Sequence, residues 1–301
     1  MKAVRLDAYG GVDQLHYEEV SAPQPQPDEV LVKVIATSVN PIDWKIRSGE
    51  VKAYMPVKFP FILGRDVAGE ITAVGGAVKE FKPGQKVMGF VISSYAEYLA
   101  AKASELSLIP EGLDPEIAGA LPLVLMTGSQ LVEKGVQPKS GDTVLITGAV
   151  GNVGRTAVYV AKQHGAKVIA GVRSNQKQEA ARLAAERVVA IDQDQEISSL
   201  PELDGIGDTV GGETIAKLLP KLKKGGHLGS VLGKPPAAEK ADVIVVAFAA
   251  EPNAARLRQL AEDVQKGLLV IPISRKFRLS EVQDAQAFAE KGAGGKVILL
   301  P

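Results

Sequence analysis

The stretch Asp142-Thr-Val-Leu-Ile-Thr-Gly-Ala-Val-Gly-Asn-Val-Gly154 reads as a buried strand that runs into a glycine-rich turn and straight on into a helix. Ala149, Gly151 and Gly154 fill the three positions of a G-x-G-x-x-G pattern, with Ala in place of the first Gly. Small residues there let the backbone approach a pyrophosphate. The helix that starts at Asn152 and Val153 offers it unpaired N–H groups and the positive end of a dipole. Gly154 lets that helix pack closely on the strand. Glycine-rich turns without ligands are common, so the pattern gains meaning only from its place between strand and helix, which this stretch satisfies. Nucleotide binding is the chemistry it points to.

The end of the next strand separates the two nicotinamide cofactors. An NAD site carries Asp or Glu about 20 residues past the glycines, on the ribose 2′-hydroxyl. Here the chain reads Gly171-Val-Arg173-Ser174-Asn175-Gln-Lys177, with no acid. Arg173 and Lys177 can neutralise a 2′-phosphate while Ser174 donates a hydrogen bond to it. The plain alternative is a solvated basic turn, although cations are unfavourable where a helix begins. The expected cofactor is therefore NADPH.

Composition excludes other chemistries. The 301 residues contain no cysteine, which removes disulfides, a thiol nucleophile and thiolate-bound zinc together. His16, His164 and His227 lie far apart without ligand spacing. The 35 Lys and Arg balance 35 Asp and Glu, so neither nucleic acid nor an anionic membrane is expected as a main partner. The start, MKAVRLDAYGG, lacks the apolar core of a signal peptide, and no apolar run is long enough to span a bilayer. A cytoplasmic location is the expectation.

Two textures of sequence must position these residues. Residues 1–6, 29–38, 66–74 and 86–91 are β-branched or alternating apolar runs between Gly and Pro turns, as in a barrel-like β domain. Pro23, Pro25 and Pro27 form a stiff extended link ahead of the second strand. From about residue 114, strand-like 143–147, 167–172, 188–191, 227–232 and 243–248 alternate with helix-like 153–163 and 176–185. That alternation predicts a parallel sheet of βαβ units. Strand-like 268–273, helix-like 280–291 and strand-like 296–300 close the chain.

With these residues in order, the whole chain resembles the zinc-free quinone oxidoreductase and enone reductase branch of the medium-chain dehydrogenase/reductase superfamily. The resemblance rests on Asn40-Pro-Ile-Asp43-Trp-Lys45-Ile-Arg-Ser-Gly49, Pro60-Phe-Ile-Leu-Gly64-Arg-Asp66-Val-Ala-Gly69-Glu and Tyr95-Ala-Glu97-Tyr98. It continues through Leu121-Pro-Leu-Val-Leu-Met-Thr127, the Gly148–Gly154 loop, Asp208-Thr-Val-Gly211-Gly212 and Gly295-Lys296-Val-Ile-Leu. It implies an α/β chain of two domains: a GroES-like β-rich catalytic domain and a Rossmann-type doubly wound parallel-sheet cofactor domain. Residues 1–118 would form the first, completed by 268–301, and residues 119–267 the second. Nicotinamide and substrate would meet in the cleft between them.

The resemblance also implies roles. Thr127, Val231, Gly233 and Phe248 would lie beside the nicotinamide, with Asp43 and Lys296 also on the cofactor side. Asn40 and Lys45 would line the active site, with Asp43 orienting Lys45, and Tyr54 is a third candidate donor. Zinc-dependent members carry Cys and His where this chain has Asn40 and Arg65, so no metal is expected. A familiar quinone reductase pattern has Tyr in place of Lys45; the Asn-Pro-x-Asp-x-Lys form is closer to enone and alkenal reductases. The fourth cofactor-domain strand, Asp204-Gly205-Ile206-Gly207, departs from the usual larger apolar residues and predicts a weakened strand or a bend. The expected activity is hydride transfer from NADPH to a quinone or conjugated carbonyl compound, with an NADPH-binding redox sensor or structural protein as the alternative. A homodimer joined through the strand at 243–248 completes the expectation.

Overall fold

The computed structural model describes residues 1–301, apart from the side chain of Lys240. It divides into two compact units, Met1–Leu123 with Pro252–Pro301, and Val124–Glu251.

The first unit is β-rich. Its seven-stranded sheet runs Ile273–Arg278, Lys296–Leu300, Glu29–Val39, Asp66–Val74, Lys86–Phe90 and Leu106–Leu108, with Tyr98–Lys102 also paired to Glu29–Val39. All its pairings are antiparallel except that of Ile273–Arg278 with Lys296–Leu300, which the helix Val282–Glu290 connects. A smaller sheet joins Leu15–Glu19, Lys2–Leu6 and Phe61–Ile62. Inward residues Val30, Val32, Val67, Ile71, Val87 and Leu99 alternate along their strands and fill one core. The helix Pro41–Ser48 is tied to Val282–Glu290 by buried Arg47, whose guanidinium donates to Gln286 and Glu290 at 2.6 Å each.

The second unit is a six-stranded parallel sheet in the spatial order Arg187–Ala190, Lys167–Val172, Thr143–Thr147, Leu203–Asp208, Leu222–Ser230, Ile244–Ala247. By chain order this is 3-2-1-4-5-6, the doubly wound dinucleotide-binding arrangement. The glycines of the fourth strand have a packing reason. A Cβ on Gly205 would lie 2.5 Å from Val136, and one on Gly207 would lie 2.7 Å from Ile146. On the neighbouring strand, a Cβ on Gly229 would lie 2.9 Å from the Cα of Gly135. The small residues thus form a floor against which the Leu131–Val136 helical turn presses. The pairing register shifts between Leu203 and Gly205, and the strand stays in the middle of the sheet.

Several expectations are corrected. The chain divides at 123/124 and 251/252, where the sequence placed the boundaries at 118/119 and 267/268. The helix Ala254–Gln265 belongs to the β-rich unit, because Arg258 reaches the Leu108 carbonyl at 3.1 Å. Residues 268–272 are not a strand; Leu268 and Val270 are each 61% exposed, and the strand begins at Ile273. The helix expected over 176–185 is broken into short turns that end at Ala184 in the left-handed region, φ 50°.

The unit of two chain segments is closed by Lys296 and Asp66, 2% and 0% exposed and 3.1 Å apart. Lys296→Met leaves the carboxylate without its cation and should cost about 3–5 kcal/mol in urea unfolding. Lys276→Met, which breaks an exposed pair with Glu116, should cost about 1 kcal/mol or less. Equal midpoints for the two variants would deny the buried pair its role.

Candidate functional site

The glycine-rich loop lies at the carboxyl end of the sheet's first strand, where the chain order reverses. Open α/β sheets bind ligands at this switch point. Gly148 turns the chain with φ 60°, and Ala149 is fully buried, its N–H donating to the Gly171 carbonyl at 3.1 Å. Gly151 precedes the helix Asn152–Gln163 in extended conformation. The first N–H groups of that helix, on Asn152, Val153 and Gly154, have no intrahelical acceptor. A Cβ at Gly154 would stand 2.2 Å from the Gly148 carbonyl oxygen, so only Gly allows the helix this close. A Cβ at Gly151 would stand 3.1 Å from the same oxygen, closer than ordinary contact, so this position too is suited by Gly. These residues fit a dinucleotide.

The same edge collects other expected residues. Val231 and Gly233 follow the strand Leu222–Ser230, and half-buried Phe248 follows Ile244–Ala247 with its N–H on the Ser230 carbonyl at 3.3 Å. Thr127 is half-buried on the helix Pro122–Gln130. The adjacent Gly128 leaves room for Thr156 and the Val153 carbonyl, which sets Thr127 beside the first turn of Asn152–Gln163. One residue of this edge escaped the sequence reading. Asp208, fully buried, accepts from Thr147 at 3.0 Å, Ser230 at 3.2 Å and the N–H groups of Val210 and Gly211. It ties together the ends of three adjacent strands below the loop. Its signal was there: an acid that ends a strand and runs into two glycines.

The three residues expected at a 2′-phosphate stand together at the end of Lys167–Val172, but two are engaged. Ser174 donates its N–H and hydroxyl to Asp192, the hydroxyl at 2.8 Å. Lys177 pairs with Glu196 at 2.8 Å. Arg173 is exposed, and its charge, after the Ser174 hydrogen bond, helps hold the Asp192 carboxyl below its usual range.

In the β-rich unit the candidate catalytic residues part company. Asn40 is 1% exposed, and its amide donates to Asp66 at 2.8 Å and to the Ser38 carbonyl at 3.3 Å. Its amide oxygen accepts from Lys296 at 2.6 Å. Both donors are spent inside the protein, which corrects the expectation that Asn40 stabilises an oxyanion. Lys296 is likewise corrected from the cofactor set: its ammonium reaches Asn40, Asp66 and, at 3.5 Å, the Val39 carbonyl.

Asp43 does not orient Lys45. One carboxylate oxygen accepts the Asn40 N–H and the Tyr95 hydroxyl, each at 2.8 Å, and the other has no partner. Burial raises its pKa to about 6, against the pull of those two donors and of the Arg65 charge. The buried Tyr95 hydroxyl is pushed well above its usual value by burial and by the Asp43 charge. Arg65 is pulled down by burial. Lys45 instead pairs with Glu50 at 3.0 Å, its side chain 31% exposed. Tyr54 is 74% exposed, so its hydroxyl is solvated rather than aimed into an enclosed site.

Comparison with known proteins agrees with this architecture. Residues 26–111 match the alcohol dehydrogenase GroES-like domain family and residues 183–299 the zinc-binding dehydrogenase family. The chain does not fit zinc: it has no cysteine, and among the described residues no group of three or more His, Cys, Asp or Glu is placed to hold a metal ion. No helix among them is long and apolar enough to cross a membrane. An NADPH-dependent alkenal/one oxidoreductase of Arabidopsis thaliana is 32% identical over 100% of this chain and 80% of its own length. The structure of a quinone oxidoreductase from Coxiella burnetii superimposes with a TM-score of 0.89 at 29% identity, covering 100% and 99% of the two chains. A mycobacterial protein complexed with NADPH gives 0.86 at 25% identity, covering 100% of both. With a GroES-like β unit, a 3-2-1-4-5-6 parallel unit and this identity along its full length, the chain belongs to the quinone oxidoreductase and enone reductase branch of the medium-chain dehydrogenase/reductase superfamily.

Proposed function

We propose that the chain is an NADPH-dependent reductase that delivers a hydride to a quinone or an α,β-unsaturated carbonyl compound without a metal. The observation that carries this reading is the glycine-rich turn Gly148–Gly154 ahead of a helix packed through Gly154, at the switch point of the sheet. When bound there, the nicotinamide cofactor supplies the hydride. The protein's task is to hold the nucleotide, keep the acceptor dry and offset the charge that develops on its oxygen. With Asn40 committed to Asp66, Lys45 is the remaining donor of the expected set: its ion pair with exposed Glu50 is easily exchanged. Solvent can deliver the last proton, so no dedicated acid is required. The reading extends to a cytosolic homodimer joined along Ile244–Ala247, an edge strand whose Ile244 is 48% exposed.

Arg173 is exposed and, among the described residues, the cation of the expected set without a salt bridge, so Arg173→Ala should weaken NADPH by about 1–3 kcal/mol, the loss of a charged hydrogen bond. NADH should be nearly unaffected in the same titration, and equal losses for both would remove Arg173 from the site.

Function is tested by single-turnover oxidation of bound NADPH with an ortho-quinone and with an enone, before and after exhaustive chelation. The wild type should react with at least one acceptor at an unchanged rate after chelation. Lys45→Ala should slow the step by roughly 100-fold or less, the lower range for one oxyanion donor, without changing NADPH affinity. No turnover with any quinone, alkenal or enone would overturn the reductase.

The dimer is checked by light scattering at micromolar concentration, where the mass should be twice that of one chain. A mass of one chain contradicts it.

A further inference from the structure

The acid missing from the end of the second cofactor-unit strand is supplied by the third. Strands Lys167–Val172 and Arg187–Ala190 pair in parallel with Gly171 opposite Val189 and Val172 opposite Ala190. Continued two residues beyond the strands, that register brings Asp192 level with Ser174. The contact is threefold: the Ser174 N–H lies 3.0 and 3.2 Å from the two carboxylate oxygens, and its hydroxyl donates at 2.8 Å.

This arrangement changes what Ser174 can do. Its hydroxyl has one proton, and that proton points at Asp192. A phosphate dianion can only accept, so Ser174 cannot serve it while Asp192 is held. Lys177 is no freer. Its partner Glu196 is fixed by the Ala190 N–H at 2.8 Å, so the Lys177 ammonium is held beside the third strand. Both carboxyls lie below their usual range, Asp192 mainly through the Ser174 hydroxyl and Glu196 mainly through the Ala190 N–H, and both stay charged at neutral pH. A 2′-phosphate would meet the exposed Arg173 and, beside it, the exposed Asp192 carboxylate. A free 2′-hydroxyl would meet an acceptor.

On the cofactor reading above, we infer that Asp192 is a specificity-determining residue for the ribose 2′ position, repelling a 2′-phosphate and accepting from a 2′-hydroxyl, so that the chain binds NADH as well as NADPH. Arg173 and Asp192 then act in opposition. The first favours the phosphorylated cofactor, the second narrows the preference.

The experiment is calorimetric titration of wild type, Asp192→Asn and Glu196→Gln with NADPH and with NADH, at one fixed salt concentration because these charges are exposed. Asp192→Asn should tighten NADPH roughly 3- to 30-fold, as expected for removing one charge near a phosphate in high dielectric, and should weaken NADH. Glu196→Gln, which frees Lys177, should tighten NADPH alone. The opposite movement of the two cofactors in Asp192→Asn separates a ribose contact from a general change of charge, to which the shared pyrophosphate would respond equally. An unchanged NADPH:NADH ratio in Asp192→Asn, with both cofactors still binding, overturns the inference and leaves the reductase standing. Binding of neither cofactor to any of the three proteins overturns the cofactor reading, and this inference with it.

Discussion

A carboxylate buried away from water must find every donor it needs within the chain, and Asp66 finds four. Ser38, Asn40 and Lys296 converge on one oxygen, and the Leu123 N–H reaches the other at 2.6 Å. Those donors come from the strand Glu29–Val39, the residue that caps the helix Pro41–Ser48, the last strand and the start of the helix Pro122–Gln130. The β-rich unit is assembled from two distant stretches of chain, and this is where they lock. Val297 lies opposite Val39 and Ile298 opposite Ser38. A slip of one residue would turn Lys296 to the other face of the sheet and strand the charge of Asp66. The ion pair need not add much net stability to specify that register.

The same anchor decides which polar residues are reagents and which are framework. Asn40, held by Asp66 and Lys296, donates its N–H to Asp43, and Asp43 accepts in turn from Tyr95. Each bond polarises the next, so the chain of contacts from the last strand to Tyr95 is stiffer than its separate parts. Asn40 and Asp43 therefore hold the entry of the helix Pro41–Ser48 at a fixed angle. Lys45, further along the helix, is paired with the exposed Glu50, a contact that exchanges readily.

Local signals in the sequence carried most of the fold. Strands Thr143–Thr147, Lys167–Val172 and Lys296–Leu300 were legible as continuous apolar, β-branched runs, and the glycine loop was legible because its turn needs small residues at fixed spacing. The strand Ile273–Arg278 was not, since Arg275, Lys276 and Arg278 hide its alternation and the more apolar run just before it, with Leu269 and Ile271 buried and Leu268 and Val270 exposed, forms no strand. The helix Ala254–Gln265 could have been found: Leu257, Leu260 and Ala261 share one face, and Asn253 caps it by accepting the Arg256 N–H. The site was harder, because its polar partners are set by tertiary register. Lys296 and Asp66 are 230 residues apart, and nothing local to either predicts the other. Read in isolation, each looks like a residue available for a ligand.

The phosphate edge shows the same difficulty at shorter range. A motif search looks for the acid at the end of one strand, whereas the sheet presents the ends of neighbouring strands side by side. In a parallel pair the offset in sequence is fixed over the whole ladder, here 18 residues between Val172 and Ala190, so a residue just past one strand is level with its counterpart just past the next. The cation at Arg173 and the acid at Asp192 therefore stand side by side. Net charge of zero fits this construction: the basic turn is matched by acids one strand away rather than gathered into a patch. Hydride transfer asks the protein chiefly for placement of a cofactor, so the discriminating residues lie where two strands end rather than in a cluster of acids and bases.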